Sequence, residues 1–277
     1  MSRFCTPDGV HLNYDDVGAG PVVVCLPGLT RNLDDFEPVV AAFGDRARIV
    51  RLDLRGRGGS DWAPPTTYTP AQEAGDVVAF LDHLKVPKAA ILGTSRGGLV
   101  ALSLAAVARP RLTGVFFNDI GPMIERSGLM HILTYLGRDP GYADYDEAAA
   151  AMPGLHPDVH GVDAAFWAAY VRRTYRETAT GLELRYDPAL RAGTEAGVAM
   201  PAPLPTLWPQ FDALAGLPLA LLRGAGSNIL SAATAAEMRR RRPDMLFAEL
   251  PDRGHVPFLD EPGSRDLIAA WLDRLDA

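Results

Sequence analysis

The sequence predicts an α/β fold, a mostly parallel sheet of eight strands with helices on both faces, and three observations carry that expectation. Continuous apolar runs of strand length, such as PVVVCL at 21–26, recur along the chain, as strands covered on both faces require. Helix-length segments lie between them. The loops that leave these runs collect glycine and charge, at the sheet edge where α/β folds place ligands.

Residues 2–5 and 11–16 read as a hairpin turned at Pro7-Asp8-Gly9, since Asp-Gly favours a tight turn. The run 21–26 is the first strand buried on both faces, and the loop Pro27-Gly28-Leu29-Thr30-Arg31-Asn32 follows it. A helix over 34–42 leads to a strand at 47–52 and to the loop 53–61, rich in glycine and charge. The helix at 70–84 has proline in its first turn, and a strand follows at 89–92. Residues 97–108 are so rich in Ala, Leu and Val that their helix must be buried; it stops before Arg109-Pro110. The next strand, 112–118, ends in Asp119-Ile120-Gly121-Pro122.

From 123 to about 208 the rhythm breaks. Helix-like pieces rich in Ala, Tyr and Trp are separated by Gly and Pro, with no strand-length apolar run before 217–222, which predicts an inserted helical unit. The expected division is a core of 1–121 and 209–277 and an insertion of 122–208. Alternation then resumes with a strand to 223, a loop at 224–230, a helix at 231–241, a strand at 245–250, a loop at 251–258 and an amphipathic helix at 262–275.

The 277 residues, 48% hydrophobic and 22% charged, suffice for one large core. A formal charge of −7 without a Lys/Arg-rich block argues against nucleic acid or an anionic membrane as partner. Arg239-Arg240-Arg241-Arg242 reads as a solvated helix end, where cations suit the dipole. There is no basic segment followed by an apolar one at the start, and no run of eighteen apolar residues, so a cytoplasmic protein is expected. Cys5 and Cys25 lie in predicted strands and read as buried free thiols.

The chemistry concentrates at Gly93-Thr94-Ser95-Arg96-Gly97, a G-x-S-x-G pattern between a strand and a helix. A serine on such a turn has its Oγ pushed out of the backbone, and the flanking glycines remove crowding Cβ atoms. Among six histidines, His255 alone combines a flanking glycine with a loop after a strand, downstream of the serine. His11 and His83 read as structural; His156 and His160 are four apart, but Pro157 interrupts them and a surface role is expected.

Taken together these residues resemble the α/β-hydrolase superfamily, over nearly the whole chain and in the expected order. The Pro27-Gly28-Leu29 loop is similar to the family's oxyanion loop, with Pro27 where histidine is common; the hole needs only a backbone N–H. Residues 53–60 resemble its D-x-R-G-x-G-x-S signature, 93–98 its nucleophile elbow, and Gly254-His255-Val256-Pro257 its histidine loop. The resemblance implies Ser95 as nucleophile, His255 as general base, the amides of Leu29 and Arg96 as oxyanion donors, and the insertion after strand six as a cap over the site.

The acid stays open. Relatives commonly carry Asp after the seventh strand, where this chain has Asn228, and an amide cannot stabilise an imidazolium as a carboxylate does. Asp119, past the end of strand six, is a position used by some haloalkane dehalogenases of the superfamily; it also reads as an ordinary turn residue. The Arg96 side chain is expected against Asp119 or Asp53, Arg55 and Arg57 as braces of the loops, and Thr30, Arg31 and Asn32 as plain loop residues. Of Tyr135, Phe166, Trp167, Tyr170 and Trp208, most are expected in the core of the cap rather than in a pocket. The implied activity is cofactor-independent cleavage of a small carboxylic ester or lactone through an acyl-enzyme. C–C bond hydrolysis and perhydrolysis are alternatives on the same residues, and a non-catalytic small-molecule receptor is the alternative of another class, which Asn228 favours.

Overall fold

The computed structural model describes residues 2–201 and 204–275; residues 1, 202–203 and 276–277, which the expected domain limits include, lie outside the described residues. The main sheet has eight strands: β1 (Ser2–Cys5), β2 (His11–Val17), β3 (Val22–Leu26), β4 (Arg48–Leu52), β5 (Ala89–Thr94), β6 (Leu112–Asn118), β9 (Leu219–Gly224) and β10 (Leu246–Leu250), with a separate hairpin of β7 (Tyr175–Thr178) and β8 (Gly181–Leu184). The order is β1-β2-β4-β3-β5-β6-β9-β10. Within the main sheet only the pairings that involve β2 are antiparallel and the pairings from β4 through β3, β5, β6 and β9 to β10 are parallel, whereas β7 and β8 pair antiparallel.

The apolar runs are continuous because both faces are covered. Along β3, Val24 and Leu26 join one core cluster while Val23 and Cys25 join another, and Val115 and Phe117 alternate with Phe116 in β6 in the same way. The first cluster packs under α2 (Pro70–His83), α3 (Arg96–Val107) and α9 (Ala232–Arg241), the second under α1 (Glu37–Phe43) and α10 (Pro262–Leu275). Trp271 of α10 is fully buried against Phe116 and donates from its indole N–H to the Pro218 carbonyl at 3.2 Å.

Between β6 and β9 the chain forms α4 (Arg126–Ile132), α5 (Tyr145–Leu155), α6 (Ala164–Thr174), the β7–β8 hairpin, α7 (Leu190–Ala199) and α8 (Trp208–Asp212). The hairpin departs from the wholly helical expectation. Its strands, YRET and GLEL, are too short and too polar to read as an apolar run, and they close on Gly181 at φ +131°. A small cluster of its own, including Met152, Trp167, Val171 and Leu182, holds α5, α6 and the hairpin together. The segment leans on the strand-end loops: Asn32 donates to the Arg173 carbonyl at 2.7 Å, Arg185 pairs with Asp34 at 2.7 Å, and the His160 amide donates to the Asp252 carbonyl at 3.1 Å.

Two further expectations are corrected. Cys5 is exposed rather than buried, because β1 is the edge strand and the Cys5 side chain points away from the core; Cys25 is buried. Arg242 is buried rather than solvated: its guanidinium donates to the carbonyls of Leu214 and Leu217 at 2.9 and 2.7 Å, while Arg239 and Arg240 stay exposed. Among the described residues no helix is long and apolar enough to cross a membrane.

Candidate active site

Ser95 sits between the last residue of β5 and the first of α3, at φ +48° and ψ −108°. A non-glycine residue in this region stores about 1–3 kcal/mol of strain. Its surroundings hold it there: the Ser95 amide donates to the Asn118 carbonyl at 3.0 Å, and its carbonyl accepts from Gly98 at 2.9 Å. The motif glycines are required by contact. A Cβ on Gly97 would lie 2.0 Å from the Leu26 carbonyl oxygen, and one on Gly93 2.5 Å from the Gly97 backbone.

The structure brings Ser95, His255 and Asp119 together. Ser95 Oγ lies 2.8 Å from His255 Nε2, and His255 Nδ1 lies 2.6 Å from Asp119 Oδ2. Asp119 is fully buried, on the residue after β6 at φ +56°, and its amide donates to the Leu222 carbonyl at 2.8 Å. Its Oδ1 accepts from the Gly224 amide at 2.9 Å, and its Oδ2 accepts from Ser227 Oγ at 2.6 Å as well as facing the imidazole. An ionised carboxylate only accepts, so the ring proton belongs on Nδ1 and the lone pair on Nε2 faces the serine hydroxyl.

Asn228 is not part of this chain of contacts; it is exposed, and the neighbouring Ser227 supplies the side chain that reaches Asp119 from that loop. Ser227 Oγ in turn accepts from the amides of Ile229 and Leu230 at 3.3 and 3.1 Å, which holds the loop shut under the carboxylate. Sequence reasoning missed Ser227. The signal available was a hydroxyl in a glycine-rich loop at the same sheet edge as the motif serine.

Leu29, in the loop after β3, and Arg96, the first residue of α3, lie on either side of Ser95. Gly28 faces the serine closely enough that a Cβ there would lie 3.9 Å from Ser95 Cβ. Arg57, fully buried, donates to the Leu29 carbonyl at 3.0 Å and pairs with Glu73 at 2.7 Å. The other oxygen of Glu73 accepts from Arg96 at 2.6 Å, and Arg96 also donates to the Tyr68 carbonyl at 2.7 Å. One buried carboxylate thereby ties together the two residues whose amides were expected to act as donors. Burial pushes the Glu73 carboxyl up, but the Arg57 and Arg96 guanidiniums outweigh it and hold it below the ordinary glutamate range. Arg96 therefore pairs with Glu73 rather than with Asp119 or Asp53; Asp53 is occupied by Asn13 and by the amides of Leu33 and Gly59. Arg55 braces the same loop through Asp76 and Asp8.

Ser95 and His255 line one cavity. Its floor is the 28–31 loop and the 255–259 loop, and its roof comes from Ile132, Tyr135, His156, Tyr170 and Arg173. Tyr135 and Tyr170 thus line the cavity, whereas Trp167 is buried in the insertion and Trp208 packs on Phe211 under Arg241. Phe166 packs on Phe258. His156 is corrected from surface to cavity wall: it stacks on Trp167 at 5.5 Å, and burial lowers its pKa, which favours the neutral ring. His160 is exposed, His11 faces Asp61 at 3.0 Å and His83 packs on Phe4. Arg31, expected as a plain loop residue, lines the cavity with its charge spent on Asp35 and its guanidinium over the Tyr170 ring. Among the described residues no three of His, Cys, Asp and Glu converge as a metal site would require.

Comparison with known proteins agrees with this architecture. A family model described as the alpha/beta hydrolase fold matches residues 21–262. The 3-hydroxybutyrate-oligomer hydrolase of Cupriavidus necator is 34% identical over 271 residues, covering 93% of this chain and 91% of that protein. The 2-(acetamidomethylene)succinate hydrolase of Mesorhizobium japonicum is 26% identical, covering 100% of this chain and 96% of that protein. A crystal structure of an alpha/beta hydrolase from Novosphingobium aromaticivorans superposes with a TM-score of 0.91 at 36% identity, over 99% of this chain and 97% of that one.

Proposed function

The chain belongs to the alpha/beta hydrolase fold family and is a hydrolase, and from that premise we propose that it cleaves a small carboxylic ester or lactone through an acyl-enzyme on Ser95. The observation that carries the reading is the continuous relay from Ser95 Oγ through His255 to the buried Asp119 carboxylate, at 2.8 and 2.6 Å. His255 Nε2 takes the hydroxyl proton as Oγ attacks the carbonyl carbon. Asp119 stabilises the resulting imidazolium and keeps its tautomer. The amides of Leu29 and Arg96 hold the oxygen that turns negative, and the Arg57–Glu73–Arg96 cluster braces the Leu29 loop and the start of α3, so little reorganisation accompanies the reaction. His255 then returns the proton to the departing alcohol oxygen. Water repeats the sequence on the acyl-enzyme and frees the acid and Ser95.

The insertion expected at 122–208 acts in this reading as a cap: its Tyr135, His156, Tyr170 and Arg173 roof the cavity and select what part of the ester fits. Support for an ester comes from the chemistry of a serine nucleophile with an adjacent base, and from the relative named for a hydroxybutyrate oligomer. Stopped-flow mixing with p-nitrophenyl butyrate tests the reading. A burst of p-nitrophenol followed by steady turnover is expected from the native protein and neither from Ser95→Ala; turnover in Ser95→Ala, or none in the native protein, overturns it.

A further inference from the structure

The roof of the cavity contains a guanidinium that pairs with none of the described residues. Arg173, the penultimate residue of α6, lines the same cavity as Ser95 and His255. Its backbone carbonyl is held by Asn32 and Arg185 at 2.7 and 3.1 Å, so the residue is fixed from the main chain outward. Its side chain, by contrast, makes no hydrogen bond and no ion pair with any described residue, and Nε is buried without a partner. Asp260 feels the Arg173 charge across space but does not pair with it.

The contrast with the neighbouring arginine is informative. Arg31, on the opposite loop of the cavity, has both edges engaged, by the two oxygens of Asp35 and by the Thr174 hydroxyl. Its charge is already balanced. His156 is held toward its neutral form by burial and contributes no second cation at neutral pH. Among the described residues that line the cavity, Arg173 is left as a partly desolvated guanidinium with no hydrogen-bond or ion-pair partner. Such a group is costly to keep unpaired, and its planar fork matches a carboxylate in two parallel hydrogen bonds.

We propose that Arg173 binds a carboxylate of the substrate, so that the preferred ester is one whose acyl or alcohol part carries a free carboxylate. The inference rests on the hydrolase reading above and narrows its substrate class. Arg173 does not touch the reacting atoms; it anchors a remote part of the substrate, so its contribution falls mainly on KM rather than on kcat.

The experiment compares two pairs of esters, each an anion with its neutral counterpart: mono-p-nitrophenyl glutarate with p-nitrophenyl valerate, and 3-butyryloxybutanoate with its methyl ester. The native protein is expected to favour the anion of at least one pair in kcat/KM. In Arg173→Gln that anion-to-neutral ratio is expected to fall about 10- to 100-fold, the range for losing a charge-assisted hydrogen bond, through a raised KM for the anion. Arg173→Lys is expected to restore part of it, and added salt to reduce it. A ratio is insensitive to general damage to the fold. If the native protein turns over the neutral esters but favours neither anion, or keeps its preference in Arg173→Gln, the carboxylate site is overturned while the hydrolase reading stands. If the native protein hydrolyses none of the four esters, both fall.

Discussion

Replacing Asp119 with Asn separates a catalytic carboxylate from a turn residue, because the change is nearly isosteric and the surroundings accept nothing but an acceptor. Asp119 takes hydrogen bonds from the Gly224 amide, from Ser227 Oγ and from His255 Nδ1. An asparagine has one acceptor oxygen and one NH₂. With the oxygen toward Gly224, the NH₂ faces His255 Nδ1, the ring proton moves to Nε2, and the Ser95 hydroxyl loses its acceptor. With the oxygen toward His255, the NH₂ is buried against the Gly224 amide, at a cost of about 1–3 kcal/mol for the unsatisfied donors. The first arrangement is cheaper and leaves a wrong tautomer. The same change in a serine protease lowers kcat by about 10⁴, equivalent to about 5.4 kcal/mol of transition-state stabilisation at 1.36 kcal/mol per decade. We expect a fall of about 10³ to 10⁴ in kcat for p-nitrophenyl butyrate, with KM little changed and thermal unfolding measured in parallel. Adding Asn228→Asp to that variant is expected to restore nothing, because Asn228 is exposed and outside the relay. Activity of Asp119→Asn within a few-fold of native, or recovery through Asn228→Asp, would refute the reasoning.

Two further perturbations probe the supports of the site. Ser227→Ala removes one donor to Asp119 and leaves the Ile229 and Leu230 amides without their acceptor; kcat is expected to fall about tenfold and stability by about 1–2 kcal/mol, read by steady-state kinetics and denaturant unfolding. Glu73→Gln takes the charge from between Arg57 and Arg96 and is expected to cost about 3–5 kcal/mol in the same unfolding assay. Because the folded Glu73 carboxyl lies below its unfolded value, its stabilisation is complete above the ordinary glutamate range and fades as pH falls through the depressed value, so the native protein should lose stability on acidification more steeply than Glu73→Gln.

Much of this architecture is legible in the sequence because it is written in local patterns. The strand Leu112–Asn118 and the helix Pro262–Leu275 are found at their expected limits, one from an apolar run of strand length and the other from its amphipathic period. Asp119 is legible as the residue just past the end of β6 and His255 as a residue of the loop after β10, since a parallel sheet delivers such loops to one edge. Their mutual distances are not legible, and neither is the choice between Asp119 and Asn228, because that depends on which residue of the β9 loop turns inward. Glu73, Ser227, His156 and Arg173 escape for a related reason. Glu73 meets Arg57 and Arg96, and Ser227 meets Asp119, only once the chain is folded, while His156 and Arg173 reach the cavity wall through the packing of the insertion, and nothing in their own neighbourhoods marks them. The β7–β8 hairpin escapes because its residues are polar and its strands four residues long, below the length at which alternation is distinguishable from loop.

The most direct measurement of the central claim is the mass of the intact protein and of its tryptic peptides after brief exposure to a fluorophosphonate. The account expects one phosphonyl adduct per chain, on the peptide that contains Ser95, loss of esterase activity in proportion to labelling, and no adduct in Ser95→Ala. An adduct on another residue, equal labelling of Ser95→Ala, or an unlabelled native protein would contradict it.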